Sequence, residues 1–109
     1  MVKWLNTPMN DVIQSAINIY GDKVDCEIEI GQGLQKEHEA YGETNWCEDG
    51  RVIVTLDADT PYVHLMETLA HELAHVVVGA DHEHDEVWQQ AFDNIFNEYN
   101  RYGKEKYKN

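Results

Sequence analysis

Residues 60–79 read Thr-Pro-Tyr-Val-His-Leu-Met-Glu-Thr-Leu-Ala-His-Glu-Leu-Ala-His-Val-Val-Val-Gly, and this stretch decides how the rest of the chain is interpreted. Thr60-Pro61 is a typical helix start, with a hydroxyl at the N-cap and proline at the first helical position. Gly79 is a typical helix stop. Between them, apolar residues recur at helical spacing: Val63, Met66, Leu69, Leu73, Val76 and Val77. The stretch therefore predicts an amphipathic helix with one face in the core.

Two histidines, His71 and His75, lie four residues apart in the last two turns of this helix. Residues at this spacing stack on one helix face, so both imidazoles can point to one position, as the first two ligands of Zn²⁺ must. Ala70 and Ala74 are small and leave room beside them. Glu72 can lie beside the metal without binding it and accept a proton from a metal-activated water. His-Glu-x-x-His is the HExxH pattern of zinc metallopeptidases, although an amphipathic helix with two surface histidines also fits it.

A metal site needs a third ligand, whether it is a closed structural site or a catalytic site with a position open for water. Residues 80–88 read Ala-Asp-His-Glu-His-Asp-Glu-Val-Trp and offer three candidates, namely Asp81, His82 and His84. An acidic, solvated loop accounts for the glutamates here. It accounts poorly for two histidines so soon after an HExxH helix. The residue types alone leave the choice of third ligand open.

The combined pattern resembles the SprT-like zinc metallopeptidases, in which a histidine with an aromatic residue four positions on follows the HExxH helix after a short loop. His84 and Trp88 have this spacing, whereas His82 would place Glu86 at the aromatic position. The resemblance, over roughly residues 51–100, implies that His84 is the third ligand and that Trp88 packs beneath the site. Asp81 has the third-ligand spacing of the metzincins, but the glycine is displaced by one residue and no methionine follows.

The resemblance implies a zinc-dependent metallopeptidase with one Zn²⁺ ion held by His71, His75 and His84. The ion would polarise a water and the scissile carbonyl, and Glu72 would act as the general base. The chain departs from the DNA-associated members of the family, because it has no CxxC pair and no basic tail. Its 8 Lys and Arg stand against 21 Asp and Glu, a formal charge of −13. Binding to a phosphate backbone needs clustered positive charge, so we expect a protein or peptide substrate rather than nucleic acid.

Two other classes of function fit part of the pattern. The first is a zinc-binding interaction or inhibitory protein without turnover, whose acidity would suit a basic partner. The second is a metal-dependent endoribonuclease, because residues 79–83 are similar to the end of the signature of bacterial rRNA-maturation enzymes. That family has glycine where this chain has Glu72, and its last histidine comes one residue sooner than His82.

The 109 residues are enough for one domain, spanning residues 1–109, and the elements predict an α+β fold. Thr7-Pro8 to Gly21 predicts a helix, and the alternation of Val24, Cys26, Ile28 and Ile30 predicts a half-buried strand. Two further strand candidates, residues 40–46 and 51–56, flank a tight turn at residues 48–50. A closing helix follows, with Asp85 as its cap and an apolar face formed by Val87, Trp88, Ala91, Phe92, Ile95, Phe96 and Tyr99. We expect a zincin-like arrangement, in which a small, mostly antiparallel three-stranded sheet packs against the metal helix and the two other helices.

The expected location is cytoplasmic. No stretch is long and apolar enough to span a membrane, and residues 1–8 lack the features of a signal peptide. Cys26 and Cys47 have no metal-ligand spacing, so free thiols are expected, with a disulfide between neighbouring strands as the alternative.

The sequence does not decide two features that a peptidase site would have, the substrate-binding edge strand and the residue that stabilises the oxyanion. Residues 41–44 or 51–56 could form the edge strand along which an extended substrate binds. The candidates for stabilising the oxyanion are, by residue type, Tyr41, Tyr62, His64, Tyr99 and Tyr102.

Overall fold

The computed structural model describes residues 8–31 and 42–106. In chain order, these residues form helix α1 (Pro8–Tyr20), a 3₁₀ turn (Gly21–Lys23), strands β1 (Glu27–Gly31), β2 (Gly42–Trp46) and β3 (Val52–Asp57), and helices α2 (Tyr62–Val78) and α3 (Glu86–Lys106). The predicted α+β class is therefore confirmed, with three helices and three strands in the part of the chain that is described. No helix in this part is both long and apolar enough to cross a membrane.

The sheet has the strand order β1-β3-β2, and it is mixed rather than mostly antiparallel. β2 and β3 form the predicted hairpin, in which Gly42 lies opposite Leu56. The turn between them contains Gly50 in the left-handed region, at φ 92°. β1 pairs with β3 in parallel, which the sequence-based prediction missed. The short turn sets the direction of β2 against β3, whereas no such turn links β1 to its partner, so packing decides its direction.

The core lies between the sheet and the three helices, with α2 packed against both other helices and against β2 and β3. The three helices and β3 contribute the side chains that are buried within the helices and strands, and each buried aliphatic side chain stabilises the fold by roughly 1.5–3 kcal/mol. The completely buried aliphatic residues include Val12, Val54, Leu56, Leu69, Leu73 and Ile95. The helical periodicity of the sequence therefore identified the core faces of α2 and α3.

Some boundaries and exposures differ from the sequence-based expectation. Val24 and Cys26 are buried as expected, but they precede β1. Ile30 and Val87 are both 48% exposed, because each lies near an end of its element where the packing against neighbours stops. Helix α2 begins one residue later than predicted, with Pro61 at its N-cap, and the Thr60 hydroxyl donates to the Asp57 carbonyl at 2.7 Å.

The end of α2 agrees with the prediction. Gly79 follows the helix with φ 89°, a conformation that side-chain-bearing residues rarely adopt, and its N–H donates to the His75 carbonyl at 3.0 Å. The loop that leaves this glycine contains residues 80–85 and leads directly to α3. It therefore brings the histidine-rich segment back beside the last turns of α2.

Candidate metal centre

Three histidines converge at the C-terminal half of α2. His71 and His75 lie on this helix, and His84 comes from the loop before α3. The His84 Nε2 atom lies 3.0 Å from His71 Nε2 and 3.2 Å from His75 Nε2. In a tetrahedral site with Zn–N bonds of about 2.0–2.1 Å, neighbouring nitrogens are about 3.3 Å apart. The three imidazoles could therefore hold one metal ion.

The loop before α3 is held by a carboxylate at its end. Asp85 Oδ1 accepts the backbone N–H of Trp88 at 2.9 Å, which is the predicted helix cap, and Asp85 Oδ2 lies 2.8 Å from His82 Nδ1. His84 itself has φ 57°, which is uncommon for a residue with a Cβ and is found where packing or function fixes the backbone. Of the three candidate ligands in this loop, the structure brings His84 to the other histidines. His82 and Asp81 lie outside the cluster.

Trp88 forms the floor beneath the three imidazoles, as expected. Its ring centroid lies 4.6 Å from that of His71, 5.4 Å from that of His75 and 4.7 Å from that of His84. The indole N–H donates to the His71 carbonyl at 3.3 Å, and Phe92 stacks on the indole at 5.5 Å. Because Trp88 is only 6% exposed, it links the ligand positions to the core.

The carboxylate of Glu72 is buried beside the cluster without belonging to it. Its Oε2 atom lies 3.8 Å from His71 Nε2, and its Oε1 atom accepts a hydrogen bond from the Thr44 hydroxyl at 2.7 Å. Burial raises the pKa of Glu72 to about 7; the Thr44 hydrogen bond opposes this shift and the charge of Glu43 adds to it. A buried acid with a raised pKa in a cleft is a typical feature of a catalytic site.

The surroundings of His71 and His75 favour the neutral form of both rings. Burial lowers the pKa of His71 to about 4, with further contributions from His75 and His84. The pKa of His75 is also lowered, first by burial and then by His84, against smaller opposing effects of Glu83 and a backbone hydrogen bond. A metal binds the neutral imidazole, so these rings are in the ligand form at neutral pH.

A cavity of about 660 Å³ lies in front of the cluster, between the exposed side of α2 and strand β2. Of the oxyanion candidates, His64 lines this cavity, whereas Tyr99 and Tyr102 do not. Tyr41 and the side chain of Tyr62 lie outside what is described. Among the described residues, the lining includes no lysine or arginine. Its members are Gly42, Thr44, Trp46, His64, Glu67, Thr68, His71, Glu72, His75, Ala80, His82, Glu83 and His84.

Among the described strands, β2 is the edge strand beside the cavity. β3 lies in the middle of the sheet, so the candidate edge at residues 51–56 is wrong and the segment that begins at Gly42 remains. Sequence reasoning did not find the contact between Thr44 and Glu72, which are 28 residues apart. No local pattern predicts it, because it depends on how the sheet packs against α2.

No protein-family model matches this chain, and comparisons with curated proteins and with solved structures also find no match. The resemblance to SprT-like peptidases therefore rests on the residues of the HExxH helix, His84 and Trp88.

Proposed function

We propose that this protein is a zinc-dependent metallopeptidase of the SprT-like, zincin-like kind. His71, His75 and His84 hold one Zn²⁺ ion, and Glu72 is the general base. The observation that carries the proposal is the buried carboxylate of Glu72, 3.8 Å from the Nε2 atom of His71 and outside the three-nitrogen cluster. A purely structural metal site has no need of such a group, and burying it costs stability.

The choice of zinc follows from the donor set. Three neutral imidazoles suit Zn²⁺, and three protein ligands are typical of catalytic zinc sites that keep a fourth position open. When bound, the ion would lower the pKa of a water and polarise the scissile carbonyl. Oε2 of Glu72, which lies 3.8 Å from His71 Nε2, would accept the proton of the attacking water. The same carboxyl group then returns the proton to the leaving amine.

A polypeptide is the substrate that fits the surroundings of the cluster. The outer edge of β2 can pair with an extended segment, and the cavity between β2 and α2 can receive its side chains. Glu67 and Glu83 line this cavity, and the formal charge of the chain is −13. This charge opposes binding to a nucleic-acid backbone, so the endoribonuclease alternative is disfavoured.

The proposal is tested by zinc analysis of the purified protein together with cleavage of a peptide library. Glu72→Gln should keep its zinc and lose at least about 100-fold in kcat, which is the range for removing a general base. Glu105→Gln, an exposed site near the end of α3, removes the same charge and should leave cleavage unchanged. Equal cleavage by wild type and Glu72→Gln would refute the role of Glu72. Stoichiometric zinc without any cleavage by the wild type would favour the interaction protein.

A further inference from the structure

One face of the edge strand lies against the proposed general base. Side chains two residues apart on a strand share a face, so Gly42, Thr44 and Trp46 point in the same direction, toward α2 and the cavity. Two of these three residues adjoin Glu72. Thr44 donates a hydrogen bond to its carboxylate, and Gly42 has no Cβ atom where one would lie 3.2 Å from Glu72 Cγ.

The Thr44 contact fixes one oxygen of the carboxylate. The hydroxyl donates to Glu72 Oε1 at 2.7 Å, which leaves Oε2 as the oxygen nearer the histidines. Threonine is β-branched and has few side-chain rotamers, and the Thr44 backbone is paired with Val54 in the sheet. The donor is therefore held in place by the sheet. A hydrogen bond to a charged acceptor is among the stronger kinds.

The structure accounts for glycine at position 42 by the lack of room for a side chain, not by the backbone conformation. Its φ is not among the positive values, so an L-residue could adopt this backbone. A Cβ atom at this position would lie 3.0 Å from Thr68 Cγ2, 3.2 Å from Glu72 Cγ and 3.3 Å from Leu56 Cδ2. All three contacts are closer than ordinary packing allows. A Cβ atom here would therefore require Thr68, Glu72 and Leu56, or the strand itself, to shift by a few tenths of an ångström.

We propose that Gly42 and Thr44 of the edge strand are positioning residues, which together hold the Glu72 carboxylate with Oε2 directed toward the reacting water. This inference rests on the proposed peptidase function and assigns two residues beyond it. The strand beside which the substrate would bind is then also the strand that orients the base. Thr44 and Gly42 act through Glu72 and need not touch the substrate.

The first experiment uses Thr44→Val, which keeps the shape of the side chain and removes the donor. We expect kcat to fall by about 10- to 100-fold, as for loss of a hydrogen bond to a charged group, with KM and zinc affinity within about twofold of wild type. Thr44→Ser keeps the hydroxyl and should restore most of the rate. Thr55→Val is the matched control, because Thr55 donates to the exposed carboxylate of Glu29 at 3.3 Å. It should leave kcat unchanged.

The second experiment uses Gly42→Ala, with Gly31→Ala as its control. A Cβ atom at Gly31 would also lie 3.0 Å from a threonine Cγ2, that of Thr55, so this variant introduces a similar clash away from Glu72. Both variants should lower the urea midpoint of unfolding. Only Gly42→Ala should also lower kcat. An unchanged kcat in Thr44→Val, or a loss in Thr44→Ser as large as in Thr44→Val, would overturn the proposal.

A double-mutant cycle separates failure of this inference from failure of the proposed function. Thr44→Val should lower the urea midpoint of the metal-free protein clearly when Glu72 is present and much less in a Glu72→Ala background. Absence of this coupling overturns the positioning role, whatever the activity. If the coupling is present but the wild-type protein cleaves no peptide, the peptidase function is refuted, and with it the catalytic role of Thr44. The hydrogen bond between Thr44 and Glu72 would still stand.

Discussion

Replacement of Glu72 by glutamine should stabilise the metal-free protein at neutral and alkaline pH, although it should abolish catalysis. The Glu72 side chain is 7% exposed, and burial raises its pKa from 4.5 to about 7. Glutamine has nearly the same size, and its oxygen can accept the hydrogen bond from Thr44. It removes only the charge whose burial is unfavourable.

The magnitude follows from the difference between the two pKa values. Between pH 4.5 and about 7, the unfolded chain has released the Glu72 proton while the folded protein still holds it. The stability that Glu72 contributes is therefore complete below pH 4.5 and is lost as pH rises through about 7. At about 1.4 kcal/mol for each pKa unit, the loss is about 3 kcal/mol at pH 8 and under about 1 kcal/mol at pH 5. The total free energy of unfolding of a domain of this size is only about 5–15 kcal/mol.

Urea unfolding of EDTA-treated protein, followed by tryptophan fluorescence, measures this effect. The free energy of unfolding of Glu72→Gln should exceed that of wild type by about 3 kcal/mol at pH 8, and the difference should shrink at pH 5. Glu67→Gln is the control, because this exposed glutamate lies on the same helix and loses the same charge. The reasoning fails if Glu72→Gln is no more stable than wild type at pH 8, or if the gain is equal at both pH values.

Two further predictions concern the third ligand and the thiols. His84→Ala should weaken zinc binding by more than about 100-fold in competition with a chromophoric chelator. His82→Ala should change it by less than about tenfold, since the His82 side chain contacts Asp85 and its ring nitrogens lie outside the cluster. If His82→Ala weakened zinc binding more than His84→Ala, His82 rather than His84 would be the third ligand. Burial, followed by the charge of its neighbour in sequence, raises the pKa of Cys26 to about 11, so at pH 8 iodoacetamide should label the partly exposed Cys47 well before Cys26. Peptide mass spectrometry measures the order, and early labelling of Cys26 would contradict its burial.

The parts of the fold that the sequence predicted are those governed by local periodicity. The apolar stripe around Leu69 and Leu73 identified α2 and its buried face, and Gly79 identified its end. Helical spacing alone placed His71 and His75 together. The pairing of β1 with β3 was not predicted, because strand direction depends on long-range packing where no short turn joins the strands. Periodicity also does not show where a helix or strand extends beyond the neighbours that bury it. Ile30 and Val87 are in phase with buried residues, but they are exposed.

In the candidate site, too, the features set by local spacing were predictable and those set by long-range packing were not. His84 could be proposed from its spacing to Trp88, and the structure brings its ring to the other two. Both cysteines are free in the structure, as their spacing led us to expect. The hydrogen bond of Thr44 to Glu72 and the close approach of Gly42 to it could not be predicted, because these residues are 28 and 30 positions from Glu72 and sheet packing brings them together.

Helix α2 serves the core and the site at once, and this has a consequence for stability. Leu69, Leu73 and Ala74 are completely buried on the same two turns that carry His71 and Glu72. The third histidine joins them from outside the helix, held by the cap of α3 and by Trp88. A metal ion shared by these histidines would therefore link α2 to the start of α3. Since binding only to the folded state adds stability in proportion to RT ln(1 + [metal]/Kd), the ion would offset the unfavourable burial of the carboxylate beside it.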